Sequence, residues 1–219
     1  ITRNWQYLAD LQPYMLNFLE NHDEQRFASE YFGIKAENTF ASLYVSLFMN
    51  TAPFMIYFGE EVGERGMDEE GFSGMDGRTT IFDWWSIGSV RRLRKVIHNG
   101  AYKNLSISKM EKAGMNKEEA VYFKRFADAV RFASMDKAIK SGCTYDLCYC
   151  NYGSDGFDKD RHFAFLRDYE DHTLLIAANF SVKEAEMDII IPEHAFEWMG
   201  IPVSTDLYPG QKIQISVPP

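Results

Sequence analysis

The strongest constraint on the fold comes from two short apolar runs that each end abruptly in polar residues. Tyr14–Leu19 (YMLNFL) runs into Glu20-Asn21-His22-Asp23, and Phe54–Phe58 (FMIYF) runs into Gly59-Glu60-Glu61. Between them, Phe40–Phe48 places apolar side chains at the i, i+3, i+4, i+7 and i+8 positions of a helix. Because both strands are near-continuously apolar, this order predicts a βαβ unit of a parallel sheet covered on both faces. In a (β/α)8 barrel the chemistry lies at the carboxyl ends of the strands, where both polar clusters are found.

The middle of the chain is predicted to be mostly irregular. Residues 62–116 are Gly-rich and polar, which is typical of a functional loop region. One short helical pattern lies within it, with Val90, Leu93 and Ile97 on its apolar face. The basic residues around them are expected to form a solvated face: Arg91, Arg92, Arg94 and Lys95. A longer helix is predicted from a cap at Asn116 to Ser141-Gly142.

Beyond Gly142 the pattern changes to short alternating segments bounded by turn signals. Five segments predict strands: residues 144–150, 162–169, 173–180, 185–191 and 213–217. Hairpin turns are predicted at Glu170-Asp171-His172 and at Pro209-Gly210. We therefore predict an antiparallel β-sandwich over residues 142–219, with the domain boundary near Gly142.

Charge and hydropathy exclude two classes of partner. The net charge of −9 repels phosphate backbones, so no nucleic-acid partner is expected. No apolar run approaches the ~20 residues that span a bilayer, so no membrane partner is expected either. The three cysteines offer no disulfide framework. Cys148 and Cys150 are expected on one face of a strand as half-buried structural thiols, because two thiols without a nearby histidine make a weak metal site.

The most specific segment is Asn17–Arg26 (NFLENHDEQR). An apolar strand that closes in Asn-His-Asp resembles the fourth conserved region of the α-amylase family, glycoside hydrolase family 13. Three other segments are similar to parts of this family: Pro53–Glu61 to its eighth barrel strand, Gly74–Trp85 to the following loop, and His162–Ser181 to the first strands of the β-sandwich after the barrel. The resemblance implies that residues 1–141 are the C-terminal portion of a (β/α)8 TIM barrel and residues 142–219 a C-terminal β-sandwich domain.

The resemblance also implies a retaining glycosidase that acts on α-linked glucans such as starch or maltodextrin. Such an enzyme uses a nucleophilic carboxylate and a carboxylic acid about 5–5.5 Å apart, and its transition state resembles an oxocarbenium ion. The family adds an aspartate that stabilises the positive charge, and the motif assigns that role to Asp23. His22 is expected to hydrogen-bond a hydroxyl of the same sugar, and Asn21 to orient the pair.

The nucleophile and the acid belong, in this family, to earlier barrel strands that are expected outside this chain. We assign neither role to Glu60, Glu61, Asp76 or Asp83, because nothing in the family pattern makes them the catalytic pair. Adjacent glutamates on a loop are usually surface groups or network partners. The chain begins with Ile1, so we expect a fragment whose open strand edges are covered by the missing N-terminal part of the barrel or by a second copy. Alone, it is expected to be catalytically silent.

No cofactor is expected. Oxygen ligands for calcium are available between Asp68 and Asp76, but no ligand spacing is recognisable there. Four aromatic residues have rings of the kind that stack on sugars and equally the bulk that fills a core: Tyr57, Phe82, Trp84 and Trp85.

Two alternatives stay open. Relatives that transfer or isomerise glucosyl units share the Asn-His-Asp motif, and the products formed from maltodextrin distinguish them from a hydrolase. The other alternative is a non-catalytic glucan-binding protein on a degenerate barrel, which would lack Asp or Glu at two further strand ends upstream of Ile1. The intact charged pair argues against it, since such a pair is costly to bury without a role.

Overall fold

The computed structural model describes residues 1–8, 10–66, 77–79 and 87–202. The chain divides into two compact units. The first, named the helical unit, comprises Leu11–Leu47 and Ala52–Asp136. The second, named the hairpin unit, comprises Ile1–Asp10, Phe48–Thr51 and the described residues from Lys137 onward. The domain assignment 1–141 and 142–219 stays a prediction. No helix in the described ranges has both the length and the apolar character needed to cross a bilayer.

The helical unit contains the expected parallel strand pair. β1 (Asn17–Phe18) lies beside β2 (Phe54–Met55) in parallel register, with Asn17 opposite Phe54. Between them in the chain, α2 (Phe40–Phe48) has the bounds that its apolar spacing predicts. Both strands are much shorter than the apolar runs that contain them. Within the described residues each of these strands has a hydrogen-bonded neighbour on one side only, and the two strands do not form a barrel.

Helices pack behind the turn that follows β2. They are α3 (Gly88–His98), α4 (Ile107–Lys112) and α5 (Lys117–Met135), and the first two lie in the stretch predicted to be mostly irregular. They share a buried cluster with the 3₁₀ turn Glu60–Val62; its members are Val62, Leu93, Val96, Ala101, Met110, Met115 and Ala120. The turn after β2 is therefore anchored to the core of this unit.

The ends and faces of these helices follow the sequence in part. The helix predicted to reach Ser141-Gly142 ends at Met135, and a separate helix covers Lys137–Ser141. Asn116 caps α5 in a capping box with Glu119, as predicted. On α3, the buried residues include Leu93 and Val96, whereas Ile97 is half exposed. The basic residues Arg91, Arg94 and Lys95 are exposed, as expected of a solvated face, and line an open depression with His98 and Asn99. Arg92 differs, because its Nη2 forms an ion pair with Glu119 Oε1 at 2.6 Å.

The hairpin unit is built on a three-stranded antiparallel sheet. Its strands are β3 (Cys143–Asp146), β4 (His162–Tyr169) and β5 (His172–Asn179), with β4 in the centre. Its helices are α1 (Thr2–Tyr7), α6 (Lys137–Ser141), α7 (Cys148–Asn151) and α8 (Glu193–Met199). The predicted hairpin is confirmed, with Glu170 and Asp171 in the turn and His172 opening β5. Arg167 of β4 is buried and donates to the carbonyls of Ala138 and Ile139.

One predicted strand of this unit is too long, and another is absent. The strand predicted at residues 144–150 ends at Asp146, because the Asp146 carboxylate accepts the Cys148 N–H at 2.7 Å and the chain turns into α7. Cys148 and Cys150 therefore lie on a short helix and not on one face of a strand.

The segment 185–191 has no regular secondary structure, because its backbone bonds to a loop instead of a neighbouring strand. The Ile190 N–H donates to the Asn151 side chain, and the Asp188 N–H donates to the Asp155 carbonyl. The described residues contain no second sheet of the hairpin unit, and the predicted strand at 213–217 and turn at Pro209-Gly210 lie outside them. The β-sandwich stays a prediction.

Candidate functional site

The loop that follows β1 is closed by residues at its two ends. Glu20 is buried directly after the strand, and its carboxylate accepts hydrogen bonds from Arg26 Nη1 at 2.7 Å and from the Phe27 backbone N–H at 2.6 Å. Burial raises the pKa of Glu20, while the Arg26 charge and these hydrogen bonds act in the opposite direction. The chain therefore leaves the sheet at Glu20 and is tied back to the same carboxylate at Arg26.

The Asn-His-Asp motif lies between these fixed ends. Asn21 Oδ1 accepts hydrogen bonds from the backbone N–H groups of Asp23 and Glu24 at 2.8 and 2.9 Å, so this side chain shapes the turn. The side chains of His22 and Asp23 are 55% and 77% exposed, with 3.4 Å between His22 Nε2 and Asp23 Oδ2. Arg78 Nε donates to the Asp23 carbonyl at 2.7 Å. An imidazole and a carboxylate thus stand side by side, open to solvent, on a braced turn.

Arg26 connects this loop to the end of β2. Its side chain is fully buried, donates through Nη2 to the Phe58 carbonyl at 2.7 Å and through Nε to Thr79 Oγ1 at 2.7 Å, and lies 4.5 Å from the centre of the Tyr57 ring. The Arg26 backbone N–H donates to the Gly77 carbonyl at 2.6 Å. One side chain therefore brings together the two polar clusters that follow the two strands.

The glutamates after β2 belong to this buried network. Glu60 is 3% exposed; its Oε2 accepts the Tyr57 backbone N–H at 3.0 Å, whereas Oε1 has no hydrogen-bond partner within the described ranges. Burial, reinforced by the Glu20 charge, raises the pKa of Glu60 to about 8. Burial also raises the pKa of the half-buried Glu61. Of the two roles expected for adjacent loop glutamates, a surface position is therefore wrong for Glu60.

Gly59 begins the turn that carries these glutamates. Its φ of 87° lies in the left-handed region, and a Cβ there would approach Glu64 Cβ to 3.0 Å and Arg26 Nη2 to 3.4 Å. Glycine thus permits both the backbone conformation and the close approach of the buried arginine.

Several predicted residues fall outside the described part of the chain. They are Asp76, Phe82, Asp83, Trp84 and Trp85, together with the possible calcium ligands between Asp68 and Asp76. Tyr57 lies within it, with its ring against the Arg26 guanidinium. No group of three or more His, Cys, Asp or Glu side chains in the described ranges is placed to hold a metal ion. All three cysteines are free, and Cys148 is buried.

Sequence reasoning about this site missed Glu20, Arg26 and Glu60 as a connected set. The one signal was their position, since charged residues directly follow two strands that are otherwise apolar. The sequence placed Asn21, His22 and Asp23 together at the end of a strand, and the structure has them on a turn after β1. Their roles toward a substrate stay predictions.

Comparison with known proteins finds similarity among solved structures. No protein-family model matches the chain, and no curated protein does. Among solved structures, the chain is similar to trehalose-6-phosphate hydrolase from Bacillus licheniformis, with 16% sequence identity and a TM-score of 0.41. The match covers 80% of this chain and spans 37% of the length of that hydrolase.

We expect Glu20→Gln to destabilise the protein by about 3–5 kcal/mol, because it leaves the buried Arg26 charge without a counter-charge. Urea unfolding gives the difference in free energy. Asp128→Asn is the matched control, since it makes the same kind of change in the exposed Lys124–Asp128 ion pair and should cost less than about 1 kcal/mol. The double variant Glu20→Leu with Arg26→Met, which removes both charges, should be more stable than Glu20→Gln. Equal effects of Glu20→Gln and Asp128→Asn would contradict a coupled buried pair.

Glu60 should make the free energy of unfolding fall as pH rises. Its pKa is about 8 in the folded protein against 4.5 for an unperturbed glutamate, so between these values the folded state holds a proton that the unfolded state has lost. The free energy of unfolding falls by up to about 1.4 kcal/mol per pH unit, and this fall levels off above pH 8. Glu60→Gln, an uncharged analogue, should flatten the profile in urea unfolding between pH 5 and 9, whereas Glu24→Gln at an exposed position should not. An unchanged slope in Glu60→Gln would assign the titration to another group.

Proposed function

We propose that this chain is part of an α-amylase-like retaining glycoside hydrolase of family 13 that acts on α-linked glucans such as starch or maltodextrin. The observation that carries the proposal is the complete Asn-His-Asp motif directly after β1, with His22 and Asp23 exposed on a turn that buried residues hold in place. A strand end of a parallel sheet is where this type of chemistry is found.

Asp23 is proposed as the carboxylate that stabilises the transition state. When the glycosidic bond breaks, positive charge develops on the sugar, and a fixed negative charge nearby lowers the barrier without having to reorganise. The turn geometry supports this role, because Asn21 and Arg78 hold the Asp23 backbone through its N–H and its carbonyl. His22, 3.4 Å from Asp23, is proposed to donate to a hydroxyl of the same sugar.

The nucleophile and the general acid are proposed to lie in other strands of the same protein. Glu20 and Glu60 are buried and bonded to the Arg26 side chain and the Tyr57 N–H, so they act as the frame of the motif and not as groups that meet a sugar. The surface of β1 supports the presence of further strands. Leu16 is 52% and Phe18 43% exposed, which is apolar surface that the packed layers of a complete barrel normally cover. We propose that the N-terminal part of the barrel, or a second copy, covers this edge.

Asp23→Asn in the longer protein should lower kcat on maltodextrin by about 10²–10³-fold or more, with little change in the free energy of unfolding. The change keeps size and hydrogen bonding and removes the charge. His22→Ala should cost less in kcat and should also raise KM. Reducing ends released from maltodextrin measure turnover, and chromatography of the products separates hydrolysis from glucosyl transfer or isomerisation.

The control for this experiment is Asp171→Asn, the same change on the exposed turn between β4 and β5, which should leave turnover unchanged. Near-normal turnover of Asp23→Asn would refute its assignment as a catalytic carboxylate.

A further inference from the structure

Four ring side chains form a cluster at the surface of the hairpin unit. Tyr145, near the end of β3, lies at its centre, with ring centroids 6.3 Å from Tyr149, 5.9 Å from His194 and 5.3 Å from Trp198. Tyr149 belongs to α7, and His194 and Trp198 are four residues apart on α8. The adjacent elements β3 and α7 and the distant helix α8 therefore contribute to one patch.

Buried residues beneath the patch fix the positions of its rings. Tyr145 is 8% exposed, and its hydroxyl lies 2.6 Å from the Tyr149 hydroxyl and 3.0 Å from His194 Nδ1. One face of α8 is buried through Ala195, Phe196 and Met199. This burial fixes the orientation of the helix, so the side chains of His194 and Trp198 on its other face are held in position. Tyr145 is thus a positioning residue that ties the two outer rings to the sheet.

The rings of Tyr149, His194 and Trp198 are open to solvent although they are grouped around Tyr145. Tyr149 is 54% and Trp198 38% exposed, and His194 is exposed beside them. Single exposed aromatic residues are common on protein surfaces. A fixed group of them exposes a larger apolar surface to water, which costs free energy, and such a group typically marks a binding site.

The chemistry of the patch selects its ligand. It offers apolar ring faces together with hydroxyl, imidazole and indole groups that form hydrogen bonds at the ring edges. Glu193 and Glu197 lie exposed on α8, and neither α7 nor α8 contains a lysine or arginine, so an anion is disfavoured. A pyranose matches this surface, because one side of the ring presents C–H groups while its rim carries hydroxyls.

We propose that Tyr149, His194 and Trp198 form a surface site that binds a sugar ring of an α-glucan. The preference for a pyranose follows from the patch, whereas the α-glucan class rests on the function proposed above. Sugar rings would stack on Trp198 and Tyr149, and His194 would hydrogen-bond a hydroxyl. The site shares no residue with the Asn21–Asp23 turn, so it would hold a glucan chain without cleaving it.

The test is a calorimetric titration of the 219-residue chain with maltoheptaose. Trp198→Ala and Tyr149→Ala should each raise Kd by about tenfold or more, the size expected when an aromatic contact is lost. Trp198→Phe, which keeps an aromatic face, should lose less. Tyr102→Ala is the matched control at an exposed tyrosine of the helical unit and should leave Kd unchanged. Circular dichroism and urea unfolding confirm that each variant is folded.

The same titration with Asp23→Asn and His22→Ala separates this site from the proposed catalytic one. Unchanged binding in these two variants, with loss in Trp198→Ala, supports the surface site whether or not the proposed activity is correct. Loss in Asp23→Asn and none in Trp198→Ala would overturn it, because the glucan would then bind at the motif. The absence of maltoheptaose binding at millimolar concentrations would overturn it as well.

Three further results would assign the patch to a different occupant. Cellohexaose binding in place of maltoheptaose would overturn the α-glucan class. Trp198-dependent binding of tetramethylammonium without binding of maltoheptaose would show a cation site, since rings and carboxylates also attract cations. Self-association that Trp198→Ala abolishes, measured by sedimentation, would show a contact between copies of the chain.

Discussion

The candidate site depends on the burial of Arg26. A guanidinium removed from water costs several kcal/mol unless charge and hydrogen bonds replace its hydration. Here the replacements come from three stretches of chain, namely the Glu20 carboxylate before the motif, the Phe58 carbonyl after β2, and Thr79. These contacts can form only if all three stretches take one arrangement. The motif turn is therefore fixed by an interaction that its own exposed residues do not make.

The pairing of Arg26 with only one of two buried carboxyl groups also accounts for their different states. Glu20 forms the ion pair with Arg26 at 2.7 Å, whereas Glu60 receives one backbone N–H and has an oxygen without a partner among the described residues. Burial first, and then the charge of Glu20, raise the pKa of Glu60, so Glu60 keeps its proton near neutral pH. Glu60 fills its place as a neutral group, while Asp23 lies in water outside this environment.

The elements that sequence predicted well are those specified by local patterns. The helix Phe40–Phe48, the cap at Asn116 and the hairpin of β4 and β5 each follow from spacing or from a short turn signal. The failures have long-range or side-chain causes. The strand predicted at residues 144–150 ends early because the Asp146 carboxylate accepts the Cys148 N–H, which alternation of apolar residues cannot reveal.

The candidate site likewise has a part that the sequence predicted and a part that it did not. The Asn-His-Asp turn was predictable because the motif is contiguous, whereas the Arg26 network was not, because Thr79 and Phe58 are distant from it in sequence. What the sequence did show is that two strands end in charged residues. It could not show which of those residues would be buried, since burial depends on partners supplied by other parts of the chain.

Two of the exposed apolar surfaces among the described residues differ in chemistry, and that difference decides what can cover each. Leu16 and Phe18 around β1 carry no polar group, and a strand edge offers backbone N–H and C=O groups for pairing, so a further strand is the cover that we propose for them. Such cover would be permanent. The rings of Tyr149, His194 and Trp198 each end in a polar atom and rest on a sheet that is already formed. Water can therefore occupy that patch at modest cost until a ligand replaces it, which is the condition that reversible binding requires.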